Sequence, residues 1–238
     1  MKKLIISIIL SAALMLCLLP VTVSAEPANK PITPKDIKEM TFVHFAKPDS
    51  PPGQSKKDKP EPKPEDIYKL IGTKLYEEAN YYVNTSGAPV DSDIEIIESF
   101  ETWDNEVAAD LFAYGGETSL SGRKYNGQNT VSWARIAPKS TIAIATFWYY
   151  SNPEDFDEII EFDIVFNSFL NWGIELTDAF DVQNIATHEV GHVVGLGDLY
   201  DSDNSEQTMY GYGSIGETKK ISLEEGDIKG AQAIYNNN

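Results

Sequence analysis

Apolar positions fall along this chain in blocks of different period. Residues 4–19 form a mostly apolar run of 16 behind Lys2 and Lys3, short of the roughly 20 residues that a membrane-spanning helix needs. From 26 to 65 large apolar residues almost vanish, and Pro27, Pro31, Pro34, Pro48, Pro51, Pro52, Pro60, Pro62 and Pro64 punctuate a stretch of lysine and glutamate. Such a segment cannot bury enough surface to order itself, which predicts a linker or propeptide. Residues 40–46 (Met-Thr-Phe-Val-His-Phe-Ala) interrupt it as an apolar island, with the composition of a short strand docking on the body.

From residue 66 onward the pattern is that of a folded domain. Residues 81–83 read as a strand. Residues 92–104 carry Ile94, Ile96, Ile97, Phe100 and Trp103 at helical spacing. The stretch 115–129, rich in Gly, Ser and Asn, reads as loop. Residues 130–136, 141–149 and 159–166 are strand candidates. Residues 181–194 are helical, with Val182, Ile185, Ala186, Val190 and Val193 on one side. Ser222 and Glu225 have capping-box spacing ahead of a last helix striped by Leu223, Ile228, Ala231 and Ile234. Strands mixed with three helices predict one α/β (α+β) domain over 66–238.

Composition narrows the function. With 37 acidic against 19 basic residues the net charge is −18, which repels nucleic-acid phosphates and anionic lipid. A nucleic-acid partner is excluded on that ground. The basic start, the apolar run and Val23-Ser24-Ala25 ahead of Glu26 have the layout of a secretory signal peptide over 1–25. The expectation is a secreted, extracellular product with no membrane anchor after its removal. Cys17, the single cysteine, lies in that segment behind Leu16, where a lipoprotein signal needs a small residue. The exported chain then has neither disulfide nor thiol chemistry.

The chemistry concentrates at 187–198. His188-Glu189-x-x-His192 sits in a helical pattern, so both imidazoles face one side a turn apart and can reach one Zn²⁺. Glu189 falls beside that ion without ligating it, placed to take a proton from a zinc-activated water. Gly195 can adopt the positive φ that ends the helix and turns the chain back. Asp198 is then placed as third ligand, with Asp201 and Asp203 as competitors. His44 is the only other histidine. The bland alternative, a surface histidine pair, is weakened by the helical context, the glycine and the carboxylate.

These residues, with Thr208-Met209-Tyr210 downstream, resemble the metzincin zinc endopeptidases and their methionine turn, most closely the matrixin branch in its small bacterial or archaeal secreted form. The resemblance spans about 66–238. It implies a mixed, mostly parallel five-stranded twisted sheet with an antiparallel edge strand, an active-site helix and a C-terminal helix. It implies one catalytic zinc on His188, His192 and Asp198, Glu189 as general base and Met209 beneath the metal. Ile142, Ala143, Ile144 and Ala145 match the sheet edge that holds an extended substrate by β-augmentation, and Tyr210 or Tyr212 matches a donor to the oxyanion. Substrates would be proteins or peptides, and the chain a monomer. The resemblance and the carboxylate excess also admit calcium around Glu154, Asp155 and Asp157, although such a cluster is more often a solvated acidic face. Relatives use a third histidine where this chain has Asp198, and many hold latency with a cysteine. Here that role would fall to His44 or Asp49, although a histidine in an apolar island is more often simply packed. The alternative function is a catalytically silent metal-binding adhesion module, against which the retained Glu189 argues.

Overall fold

A computed structural model describes residues 36–47 and 67–236. The leader at 1–25, Asp49 and most of the proline-rich segment lie outside the described residues. The described residues form ten strands: β1 (Ile37–Ala46), β2 (Thr73–Lys74), β3 (Ala79–Asn84), β4 (Phe112–Glu117), β5 (Asn129–Ala134), β6 (Thr141–Tyr150), β7 (Asp157–Asn167), β8 (Trp172–Gly173), β9 (Phe180–Asp181) and β10 (Tyr212–Gly213). The helices are α1 (Ser92–Asp104), α2 (Val182–Val194) and α3 (Glu225–Tyr235).

The main sheet runs β10-β1-β6-β7-β5-β3-β4, with β2 pairing β7. The expected five-stranded unit is its centre, β4-β3-β5-β7-β6. The first four strands are parallel, and β6 closes the unit antiparallel to β7. Beyond β6 the island strand β1 adds antiparallel, Val43 opposite Ile144 and His44 opposite Ala143. Its end pairs parallel with β10, Phe45 opposite Tyr212. The expected edge is thus flanked on both sides. Residues 141–148 of β6 are buried without a break, as their near-continuous apolar run requires of a strand covered on both faces.

Two local expectations fail. Residues 115–117 belong to β4, not to a loop. Gly115 is there because a Cβ would lie 2.6 Å from the Tyr82 ring, so its sequence signature is close approach rather than a turn. The capping box of α3 is Glu224 with Asp227, not Ser222 with Glu225, because the helix begins two residues later than that spacing assumed.

Buried carboxylates tie the 123–127 loop to the sheet. Glu161 accepts from the backbone N–H of Asn126 and Gly127, both at 2.6 Å, and Asp163 from that of Lys124 at 2.7 Å. Orphaned loop amides are satisfied this way without an added ion. Among the described residues no helix is long and apolar enough to cross a membrane.

Candidate metal centre

Helix α2 carries the centre, and its ends explain its placement. Asp181 caps the start by accepting from Asn184 N–H at 2.8 Å. Gly195 ends it with φ 113°. A Cβ there would press on the Thr73 carbonyl and come within 2.9 Å of Ile234. The left-handed turn sends the chain back so that Asp198 faces the helix.

His188 Nε2 lies 3.3 Å from Asp198 Oδ1, and His192 Nε2 lies 3.6 Å from the same oxygen. Each imidazole is oriented from its far side. His188 Nδ1 meets the Thr208 carbonyl at 2.7 Å, and His192 Nδ1 meets the Leu196 carbonyl at 2.8 Å. A carbonyl only accepts, so both Nδ1 atoms carry the proton and both Nε2 atoms present lone pairs to a carboxylate oxygen. None of these three atoms has a hydrogen-bond partner. Buried electron-rich atoms facing one another repel, and a divalent cation between them satisfies all three. The donor set therefore fits zinc: two nitrogens and one oxygen converge, and a backbone carbonyl stands behind each histidine.

Electrostatics agree with that use. Burial pushes the His188 imidazolium down to about 4 and lowers His192, keeping both neutral as metal ligands must be. Burial disfavours the Asp198 charge too. The two imidazoles and the Tyr200 hydroxyl, which donates to Oδ2 at 3.1 Å, outweigh it and hold that carboxyl below its ordinary value. Burial first, and then the Asp198 charge, push Glu189 well above the usual carboxylate range.

Met209 lies under the helix against Gly191, where the missing side chain leaves it room. Its turn is fixed by Asp227, which the sequence places in the last helix without a role at the centre: this buried carboxylate accepts from Thr208 N–H at 2.7 Å and Met209 N–H at 3.1 Å. Asp227 thereby sets the carbonyl that orients His188.

The strand β1 lies over the centre. Phe42 stacks on His192 with ring centroids 4.1 Å apart, and His44 lies on His188 at 3.9 Å. His44 Nδ1 is 3.1 Å from Glu189 Oε1, and Lys220 Nζ is 3.3 Å from His44 Nε2. His44 is thus both packed, as its island suggested, and in contact with the expected base. Under this cover His188, Glu189 and His192 are all 0% exposed. Neither Phe42 nor Lys220 carried a signal of this role in sequence, because each reaches the centre only through a contact made across more than a hundred residues.

Other expected residues are placed differently. Ile142, Ala143, Ile144 and Ala145 pair with β1 on one side and β7 on the other. Tyr210 and Tyr212 present carbonyls, not hydroxyls, to the neighbouring Lys220. Among the described residues two groups can hold a metal, His188–His192–Asp198 and His44–His188–Glu189. Asp201, Asp203, Glu154, Asp155 and Asp157 belong to neither. Asp201 caps the short 3-10 turn that follows it, and Asp155 pairs with Lys74 at 3.3 Å.

The family model described as Matrixin matches residues 81–236. Metalloendoproteinase 1 of Glycine max is 38% identical over 61 residues, 25% of this chain and 18% of the relative. Metalloendoproteinase 2-MMP of Arabidopsis thaliana is 35% identical over 65 residues, 27% and 16% respectively. The chain spans less than a fifth of the length of these relatives.

Proposed function

This chain belongs to the matrixin family, and from that premise we propose that it is a secreted zinc-dependent endopeptidase in which Glu189 is the general base. His188, His192 and Asp198 would hold the ion. When bound, zinc supplies a charge that polarises a carbonyl and acidifies a water. The chain's own residues do the rest. Thr208 and Leu196 carbonyls fix the ligand histidines in their Nδ1–H form, leaving both Nε2 atoms as donors. Glu189 takes a proton from the attacking water and hands it to the departing amine. No covalent acyl-enzyme is involved, since the centre contains no activated serine or cysteine. An extended protein or peptide segment would lie along β6 in the place β1 now fills, held by backbone hydrogen bonds once β1 has left it.

The observation that carries this proposal is the convergence of three unpartnered donor atoms beside a buried carboxylate. The test is zinc content together with digestion of an unstructured protein, for the wild type and Glu189→Ala. One zinc per chain in both, with internal cleavage by the wild type only, is the expected result. Cleavage that survives Glu189→Ala would sink the mechanism, and absence of zinc from both would sink the site.

A further inference from the structure

Residues 37–46 do more than cover the centre. The strand is held from both sides, antiparallel to β6 and parallel to β10, and its residues 42 and 44 face the metal-binding helix. An extended chain gripped by main-chain pairing, with alternate side chains in pockets, is how a sheet edge binds a peptide. The His44 side chain enters a slot walled by Gly213 and Ile185, near Ile142. A Cβ on Gly213 would sit 3.2 Å from His44 Nε2 and 3.2 Å from Ile185, so the glycine leaves the slot its width.

The floor of the slot is Lys220, which is 0% exposed. An ammonium has three N–H donors and no acceptor. Two are engaged by the Tyr210 and Tyr212 carbonyls, at 2.5 and 3.1 Å. The third meets His44 Nε2 at 3.3 Å. Since Lys220 only donates, His44 Nε2 accepts and its Nδ1–H faces Glu189, so the imidazole bridges the floor to the base. The first two acceptors are main chain and do not depend on what fills the slot. The third is whatever side chain enters.

We propose that residues 37–46 lie in the substrate groove as an internal stand-in for substrate, and that Lys220 determines specificity at the His44 position by selecting a hydrogen-bond-accepting side chain such as Gln, Glu or His. This rests on the peptidase reading above. An apolar side chain leaves one buried N–H of a cation unpaired, and sites built to hydrogen-bond discriminate strongly against ligands that cannot.

The test is a double-variant cycle on the full zinc-loaded chain, read by hydrogen exchange of the amides of residues 39–46. His44→Gln keeps an acceptor over the floor, and exchange should stay within about twofold of wild type. His44→Leu should open the strand about 10- to 100-fold more often, the factor expected for a lost bond to a charged group. Placed on a Lys220→Met floor, the order should reverse, with Leu protecting better than Gln. Equal protection by Gln and Leu on the wild-type floor would overturn the proposal, as would a Leu penalty unchanged by Lys220→Met. Should Lys220→Met fail to fold, the Gln and Leu comparison decides alone. Exchange needs no turnover, so a chain that fails to cleave would refute the peptidase reading while these arms still judged the slot. Where cleavage is seen, an excess of Gln, Glu or His at one position beside the cut supports the assignment, and indifference at every position overturns it.

Discussion

Gly191→Ala sets helix propensity directly against packing. In an exposed helix interior this change stabilises by about 1 kcal/mol. In α2 the added Cβ would stand 2.7 Å from Trp103 Cζ2 and still nearer the Met209 sulfur, where carbon contacts are at ease near 3.5–4.0 Å. The methionine can swing away, but the indole cannot. Trp103 is 0% exposed, and its Nε1 donates to the Thr187 carbonyl at 2.8 Å. Overpacking of this kind costs roughly 1–3 kcal/mol, and loosening the buried indole hydrogen bond about 1 more. The net is a loss of about 1–3 kcal/mol. At about 2–4 °C per kcal/mol for a domain of this size, the midpoint should fall roughly 2–12 °C. A second effect follows from position. Displacing Met209 moves the adjacent Thr208 carbonyl that orients His188, so zinc affinity should fall as well. Urea unfolding with parallel zinc titration measures both. A Gly191→Ala chain as stable as wild type, with unchanged zinc affinity, would refute the claim that this glycine exists to admit Trp103 and Met209.

Two further outcomes follow from buried carboxylates. Asp227→Asn puts an amide donor against backbone N–H groups that Asp227 now accepts from at Thr208, Met209 and Glu224. Urea unfolding should register a loss of about 2–4 kcal/mol; a loss below 0.5 kcal/mol (roughly the noise of neutral surface changes) would remove Asp227 from the support of the turn. Burial is the main cause that raises Asp104 from 3.8 to about 6, against the lowering effect of the Leu111 and Phe112 N–H groups. Between those values the folded chain holds a proton the unfolded chain has released, so stability falls as pH rises from about 4 to 6. The full shift sets a ceiling of about 3 kcal/mol, and half-exposure of the carboxyl reduces it to about 1. From pH 4 to 7 the wild type should therefore lose about 1 kcal/mol of stability relative to Asp104→Asn, and parallel profiles or a relative gain would contradict the assignment.

Much of the fold is legible because burial imposes period on sequence. The helix at Ser92–Asp104 has the bounds its apolar stripe predicts, and α2 begins just after the Asp181 cap. The strands β5, β6 and β7 lie where their apolar runs do. β4 escapes because Gly115 and Gly116 carry no side chain to mark a face, and an edge strand beside an aromatic ring needs none. The box at α3 escapes because Glu224 and Asp227 satisfy the same spacing rule as Ser222 and Glu225. What decides between them is that Asp227 also accepts from the Thr208–Met209 turn, a contact no local window contains.

The centre divides along the same line. His188, Glu189, His192, Gly195 and Asp198 fall within eleven consecutive residues, so one helix and one turn fix their relation and the sequence displays it. Residues that act on the centre from a distance show nothing of the kind. Lys220 looks like an ordinary basic residue beside Lys219, yet Lys219 is only half-buried and pairs with the exposed Glu206 at 3.2 Å, while Lys220 is buried against two carbonyls and an imidazole. The difference comes from the register of β10 and β1, which brings Tyr212 and His44 to one ammonium. Burying a lysine is expensive unless its donors are paired. Tyr210 and Tyr212 supply two partners from within ten residues of Lys220. The third comes from position 44, 176 residues away, and any segment that replaces residues 37–46 in the groove inherits the demand to supply it.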